Sequence, residues 1–320
     1  MTQIAVLGAG AFGTALAISL AEAGNDVTLV ARNETHVAEM LRDRMNAARL
    51  PGARFPDGIN PAKRIPSGAE VVLAAVPTQV LASALREHRS ALAGKPVVSC
   101  NKGIDLETGE GPTGIITAHS APSVVAALSG PGFAIDIARG LPTALTLACR
   151  DEVQGTLLQE QLSTQSLRLY RTTDVDGVEM GGALKNVVAI AAGVAMGANL
   201  GESARAALMT RGYAELTRFA LWRGARPETL AGLSGLGDLV LTCTSEKSRN
   251  YSCGISLGRG EGLPKGKTVE GVSTAKVVSA IAHSAGIDLP VTQLVNAIVS
   301  GKCSVAEARD LLLSRPLKEE

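Results

Sequence analysis

The chain has 320 residues, more than one hydrophobic core usually spans, so two domains with ample material to bury are expected. Hydrophobic residues make up 46% and the formal net charge is +1, which excludes the basic excess of a nucleic-acid binder. Aromatic residues are only 2%, so ring stacking is not expected to dominate ligand binding, whereas 35 glycines without a repeat point to tight turns and close backbone approaches.

Cys100, Cys149, Cys243, Cys253 and Cys303 are odd in number, widely spread and free of any CxxC pair, and they read as reduced thiols of a cytoplasmic protein. His36, His88, His119 and His283 stand apart from one another, so neither a zinc site nor a serine-type triad is signalled and no metal is expected. The N-terminus enters a strand-like pattern at once, without a cleavable apolar segment.

Residues 3–7 form a short aliphatic run, followed by Gly8-Ala9-Gly10-Ala11-Phe12-Gly13 and then a helical pattern through 23. This is G-x-G-x-x-G between a strand and a helix: Gly8 permits the tight turn, Gly10 lets backbone approach a pyrophosphate, and Gly13 lets the helix pack on the strand. The free N–H groups at the helix start then favour phosphate. A second strand at 27–31 ends in Arg32, where an NAD-preferring site would usually carry an acid for the ribose 2′-hydroxyl. A guanidinium suits a 2′-phosphate, so NADPH is favoured over NADH; the competing expectation has Arg32 in solvent and Glu34 on the ribose.

A helix is expected over 34–47, then an irregular connection punctuated by Pro51, Pro56, Pro61 and Pro66. Further strands are expected at 70–76, 96–100, 124–128, 143–149 and 167–171, with a helix at 78–86 and another from 151. The strand at 96–100 ends in Asn101-Lys102-Gly103, and ligands of open α/β sheets bind beyond the carboxyl ends of strands, so Lys102 is well placed for substrate. The 129–134 stretch SGPGFA either brings backbone N–H groups close to a ligand or merely turns the chain.

After Thr173 the pattern changes to helices alone, at 178–198, 203–223, 272–285, 291–300 and 304–314. A doubly wound α/β domain over 1–175 followed by an all-helical domain over 176–320 is therefore expected, with cofactor and substrate in the cleft between them. From Met180 to Ala198 the strongly polar side chains are Lys185 and Asn186, so this helix should be buried nearly all round. An unpaired buried ammonium costs several kcal/mol, so Lys185 needs a partner or a displaced proton equilibrium. Gly181 and Gly182 lie one turn earlier on the same face and would either seat a flat ligand beside the amine or allow close helix packing. A central lysine and missing basic or aromatic flanks argue against a membrane span.

In 235–242, GLGDLVLT, an acid stands in apolar company; Asp238 would pair the Lys185 ammonium or cap a helix, with Thr242 on the same face. Ser248-Arg249-Asn250 follows, a set suited to a phosphate or carboxylate, although a solvated loop has the same composition. Glu270 would return to the cofactor or face water.

Together the motifs GAGAFGTALA (8–17), NKG (101–103), SGPGFA (129–134), GLPTA (140–144), GGALKNVVAI (181–190), GLGDLVLTC (235–243), SRN (248–250) and VEG (269–271) resemble the bacterial-type NAD(P)-dependent glycerol-3-phosphate dehydrogenases, essentially end to end. The resemblance implies a Rossmann-like domain and reversible reduction of dihydroxyacetone phosphate to sn-glycerol 3-phosphate, the phospholipid backbone precursor; the apolar helices make a homodimer reasonable, although no stretch marks an interface. The resemblance also implies Lys185 as general acid/base, with Lys102, Asp238 and Thr242 beside the reacting carbonyl. Substrate phosphate would fall to Ser248, Arg249 and Asn250, with Gly130 and Gly132 lining the pocket. Cofactor contacts would come from Ala11, Phe12, Arg32, Lys102, Ala134, Arg249, Thr268 and Glu270. The family usually has Thr where Gly132 stands, so a hydroxyl contact is missing and weaker affinity, or a water in its place, is expected. Two rivals fit many of the same features: a β-hydroxyacid or ketopantoate reductase acting on a carboxylate, and a non-catalytic dinucleotide sensor, which would need no buried lysine.

Overall fold

Aliphatic runs bounded by glycine and proline make strands that are buried on both faces, and such strands assemble into a parallel sheet covered by helices. In the computed structural model, which describes residues 1–264 and 268–314, they do so. Strands β1 (Gln3–Leu7), β2 (Asp26–Val30), β3 (Ile59–Ala62), β4 (Val71–Ala74), β5 (Pro96–Ser99), β6 (Val124–Ser129), β7 (Thr143–Cys149) and β8 (Leu167–Thr172) form one sheet in the order β3-β2-β1-β4-β5-β6-β7-β8. Every neighbouring pair is parallel except β6 with β7.

The order reverses between β1 and β4, which opens a crevice at the carboxyl ends of the strands. The glycine turn after β1, Asn101-Lys102-Gly103 after β5 and Gly130 after β6 all leave the sheet at that edge.

β3 corrects the sequence expectation, which left 51–66 as irregular connection. Pro61 has no N–H to donate, and β3 accommodates it as the outermost strand, paired with β2 alone.

The five helices expected in the second half occupy Val175–Gly197, Glu202–Trp222, Glu270–Ala285, Pro290–Val299 and Val305–Leu313, each within a few residues of its expected range. Pro227–Ala231, Leu233–Gly237, Asp238–Cys243 and Arg249–Gly258 add shorter helices between them, the last in place of an expected polar loop. Helix Val175–Gly197 is the axis of the molecule: 94% of its most apolar 18-residue window is buried inside the fold, as a core helix requires. It is the one helix among the described residues long and apolar enough to cross a membrane.

Helix Arg249–Gly258 crosses that axis at very close range. A methyl added at Gly193 would meet the Tyr251 carbonyl oxygen at 2.1 Å, and one at Gly254 would meet the Ile190 carbonyl oxygen at 2.2 Å. Backbone therefore touches backbone, and the N-terminus of Arg249–Gly258 is held beside the polar side of the axis.

Two buried glutamates staple the helices. Glu215 accepts from the Val291 N–H at 2.7 Å and from the Thr292 N–H and hydroxyl, both at 3.1 Å, capping the Pro290–Val299 helix. Glu179 accepts from the Thr113 N–H at 2.7 Å and hydroxyl at 2.9 Å, at the start of helix Pro112–Ser120. Each carboxylate thus stands at the positive end of a helix whose first N–H groups lack intrahelical partners.

Candidate functional site

The turn after β1 is built as its glycines require. Gly8 has φ +121°, and a Cβ there would meet the Ala75 carbonyl oxygen at 2.7 Å; a Cβ on Gly13 would meet the Gly8 carbonyl oxygen at 2.1 Å. At Gly10, by contrast, nothing lies within 4 Å of the Cβ direction, so this backbone faces open space. Helix Ala11–Glu22 starts there with no side-chain cap and no acid in its first turn, leaving the N–H groups around Ala11 and Phe12 for an anion. The short helix Ala134–Ala138 packs against it and brings Ala134 to the same corner. Arg32, just past β2, is exposed, while Glu34 pairs with Lys63 at 2.5 Å.

Across the crevice stands a buried cluster of charge. Lys185 donates to Asp238 Oδ1 at 2.6 Å and to Thr242 Oγ1 at 2.7 Å, and Lys102 donates to Asp238 Oδ2 at 2.8 Å and to the Gly130 carbonyl at 3.0 Å. Asp238 is the first residue of helix Asp238–Cys243; it makes no capping bond, and its carboxylate serves the two ammonium groups instead. Thr242, one turn on, donates to the same carboxylate at 3.3 Å. Among the described residues each ammonium spends two of its three N–H groups on protein, so one of each remains for a substrate oxygen.

Burial pushes the Lys185 ammonium down to about 8; Asp238 opposes the shift and Lys102 adds to it. Burial also opposes charge on Asp238, but the two lysines outweigh it and hold the carboxyl below its ordinary range. The cluster therefore pairs a carboxylate that stays charged with an amine that releases its proton at about pH 8, well below the ordinary lysine range.

The polar corner is formed by the N-terminus of helix Arg249–Gly258. Ser248 is its cap, accepting from the Tyr251 N–H at 3.2 Å, which leaves the buried hydroxyl proton free to be donated. Arg249 is exposed on the first turn. Asn250 is more committed: its Nδ2 donates to Asn186 at 2.8 Å and its oxygen accepts from the Gly271 N–H at 3.0 Å. Asn186 in turn donates to the Lys102 carbonyl at 3.1 Å. Sequence reasoning assigned Asn186 no part, although a lone amide in an apolar helix is a buried group that must find partners.

Glu270 accepts from the Thr78 N–H at 3.3 Å, and the two residues, with Thr268 and Gly103, line a cavity of about 180 Å³. Burial raises the Glu270 carboxyl, against the Thr78 N–H and the nearby charges of Arg249, Lys102 and Lys185. One crevice thus gathers Lys102, Lys185, Arg249 and Glu270.

Two expectations are corrected here. Gly181 and Gly182 seat no flat ligand: a Cβ on the first would meet the Ser234 carbonyl oxygen at 2.7 Å and on the second the Ser129 hydroxyl at 2.5 Å, so both serve close packing. At Gly132 the Cβ direction runs into carbon atoms of Ile137, Thr143 and Leu145 at 3.1 to 3.4 Å, so little room is left where a side chain would start for a water to fill. Gly130, with φ +143°, adopts a conformation open to glycine and offers its carbonyl to Lys102.

Comparison with known proteins gives the family. Residues 3–154 match the family model described as NAD-dependent glycerol-3-phosphate dehydrogenase N-terminus, and residues 174–310 match the C-terminus model of the same name. A glycerol-3-phosphate dehydrogenase [NAD(P)+] of Ruegeria sp. (strain TM1040) is 54% identical, covering 99% of this chain and 100% of that protein. The enzyme of the same name from Paracoccus denitrificans (strain Pd 1222) is also 54% identical with the same coverage. The crystal structure of glycerol-3-phosphate dehydrogenase from Coxiella burnetii superposes with a TM-score of 0.93 at 34% identity, over 98% of this chain and 99% of that one. With a dinucleotide cradle on one wall, a shared carboxylate between two lysines on the other, and both family models matched in order, the chain belongs to the NAD-dependent glycerol-3-phosphate dehydrogenases.

Proposed function

We propose that the protein interconverts dihydroxyacetone phosphate and sn-glycerol 3-phosphate with NADPH or NADH, and that Lys185 is its general acid/base. The observation that carries this is the buried Lys185–Asp238 contact of 2.6 Å, in which one ammonium N–H remains unspent. The dinucleotide fits the chain's own features: an open backbone at Gly10, an uncapped helix start at Ala11 and Phe12, and the tight packing at Gly8 and Gly13. The nicotinamide supplies the hydride when bound.

The residues of the chain do the rest. Ser248 donates its free hydroxyl proton, and Arg249 a two-pronged guanidinium, to the substrate phosphate at the start of their helix. Asn250 adds its second amide N–H and keeps the corner joined to Asn186 and Gly271. Lys102 holds the carbonyl oxygen with its remaining N–H, and Lys185 passes its proton to that oxygen as negative charge develops. Asp238 and Thr242 hold the Lys185 amine in place throughout, and in the oxidative direction the neutral amine takes the proton back. Thr268 and Glu270 border the cofactor from the helical side.

Several finer readings belong to the same proposal. The exposed Arg32, with Glu34 engaged by Lys63, favours NADPH. The folding units divide between residues 175 and 176, a reading supported by the change from β8, which ends at Thr172, to helix Val175–Gly197. The enzyme works as a cytoplasmic homodimer feeding phospholipid synthesis, and its four buried thiols suit a reducing compartment.

The test is the initial rate of NADPH oxidation with dihydroxyacetone phosphate, repeated with NADH and with 2-keto acids. Turnover confined to the phosphorylated ketone is expected; reduction of keto acids alone would transfer the site to a carboxylate substrate. Light scattering reads the dimer, and a monomer at working concentration removes that part.

A further inference from the structure

Lys247 lies outside everything assigned so far, yet it directly precedes Ser248 and Arg249. Its side chain is exposed, but its ammonium is engaged by protein. It crosses to the sheet half and donates to Asp136 Oδ1 at 3.0 Å and Oδ2 at 3.3 Å, a partner 111 residues away. The same ammonium lies 5.6 Å from the centre of the Phe133 ring. Phe133 and Asp136 belong to the segment that follows Gly130 and Gly132 and carries Ala134 against the dinucleotide helix. The ring face and the carboxylate are complementary to one cation, and together they bracket it.

We propose that Lys247 is a positioning residue for substrate capture: with Asp136 and Phe133 it straps the Ser248–Arg249 corner to the sheet half across the crevice. The proposal rests on the reading of Ser248 and Arg249 as phosphate ligands. A long lysine side chain gives up rotamer freedom when held in one extended geometry, and the carboxylate and ring together offset that loss. What the strap fixes is the main chain one residue ahead of the helix cap. Loosening it lets the exposed Arg249 guanidinium wander from the phosphate position. The proton-transfer geometry is untouched, because Lys185, Asp238 and Lys102 are held to one another by buried contacts of 2.6 and 2.8 Å.

The pair is partly exposed, with 53% of the Lys247 side chain and 27% of the Asp136 side chain accessible, so the effect is modest and salt-sensitive. The experiment is a double-mutant cycle on the full chain with Lys247→Met, Asp136→Asn and the pair combined, plus Lys247→Arg. KM for dihydroxyacetone phosphate, kcat and the dissociation constant of NADPH are measured at low and high salt.

Each single variant is expected to raise KM about two- to five-fold with kcat within twofold, the range open to a partly exposed pair. The double variant should be no worse than either single one, Lys247→Arg should keep the wild-type KM, and high salt should erase the difference. NADPH affinity should not move. Unchanged KM in both single variants, or effects that simply add, would overturn the proposal. A KM that rises in Lys247→Met but falls in Asp136→Asn would also overturn it, because the lysine would then be gripping the phosphate itself while the acid competes for it. Wild-type protein without turnover of dihydroxyacetone phosphate would instead sink the functional reading on which the strap depends, so the two failures are distinct.

Discussion

Two of the places where the helical half buries charge are satisfied in opposite ways. Around Lys185 the charge is answered by charge: an ammonium against a carboxylate that a second ammonium shares. At Glu215 it is answered by the start of a helix, three donors from Val291 and Thr292 filling both oxygens. The first arrangement leaves each lysine with an unspent N–H beside a crevice; the second commits both carboxylate oxygens to holding the start of a helix. Burial of a titratable group is therefore no mark of chemistry in itself. Its partners decide whether the group can still act.

The sharpest way to break this contrast is Lys185→Met. Removing a general acid costs about 10²- to 10⁴-fold in rate, so kcat should fall at least that far while NADPH affinity, read by fluorescence quenching, stays within twofold. Near-normal turnover would put Lys185 in the same structural class as Glu215.

Asp238→Asn comes next. It strands two ammonium groups in a buried site, and breaking a buried pair in this way costs about 3–5 kcal/mol, so the urea midpoint and kcat should fall together. A variant of wild-type stability would mean that the lysines find other partners.

Glu215→Ala should separate the two effects. Losing a carboxylate from buried N–H groups costs about 1–3 kcal/mol, with kcat and KM unchanged within twofold. A large loss of turnover at unchanged stability would erase the distinction.

The smallest expected effects are in pH. With the Lys185 ammonium lowered to about 8, ketone reduction should decline as pH rises through that value, because it needs the protonated amine; alcohol oxidation should rise over the same range. Glu179 shifts the other way: burial raises its carboxyl from 4.5 to about 7, despite the Thr113 bonds. The folded state then holds an extra proton, so the stability it contributes is full below pH 4.5 and is lost as pH rises through about 7. Glu179→Gln should flatten the urea midpoint over that window, and an unaltered pH slope would deny the linkage.

Much of this was legible in the sequence. The aliphatic runs bounded by turn residues marked seven of the eight strands, and β3 escaped because Pro61 looks like a breaker until the outermost position accommodates it. The glycine fingerprint carried its own physics, since Gly8 and Gly13 answer local steric demands and Gly10 leaves its backbone open. The isolation of Lys185 in an apolar helix showed that a partner must exist, and Asp238 was named as one of two readings. Asn186 was visible but silent: an amide donates and accepts, and nothing local says to whom. The pair of glycines at 181 and 182 was ambiguous for a related reason, because a bare helical face looks the same whether a ligand or a neighbouring backbone fills it.

By itself the chain determined where most strands, the long helices and the glycine turns begin, because those depend on residues within a few positions of one another. It also determined that an amine in the central helix needed an opposite charge. Tertiary structure alone decided that one carboxylate would serve both lysines, from positions 53 and 136 residues distant, and that helix Arg249–Gly258 would present its N-terminus beside them. Those outcomes depend on how closely glycine-faced helices cross and on which sheet edge the loops leave, and neither is a property of any local stretch.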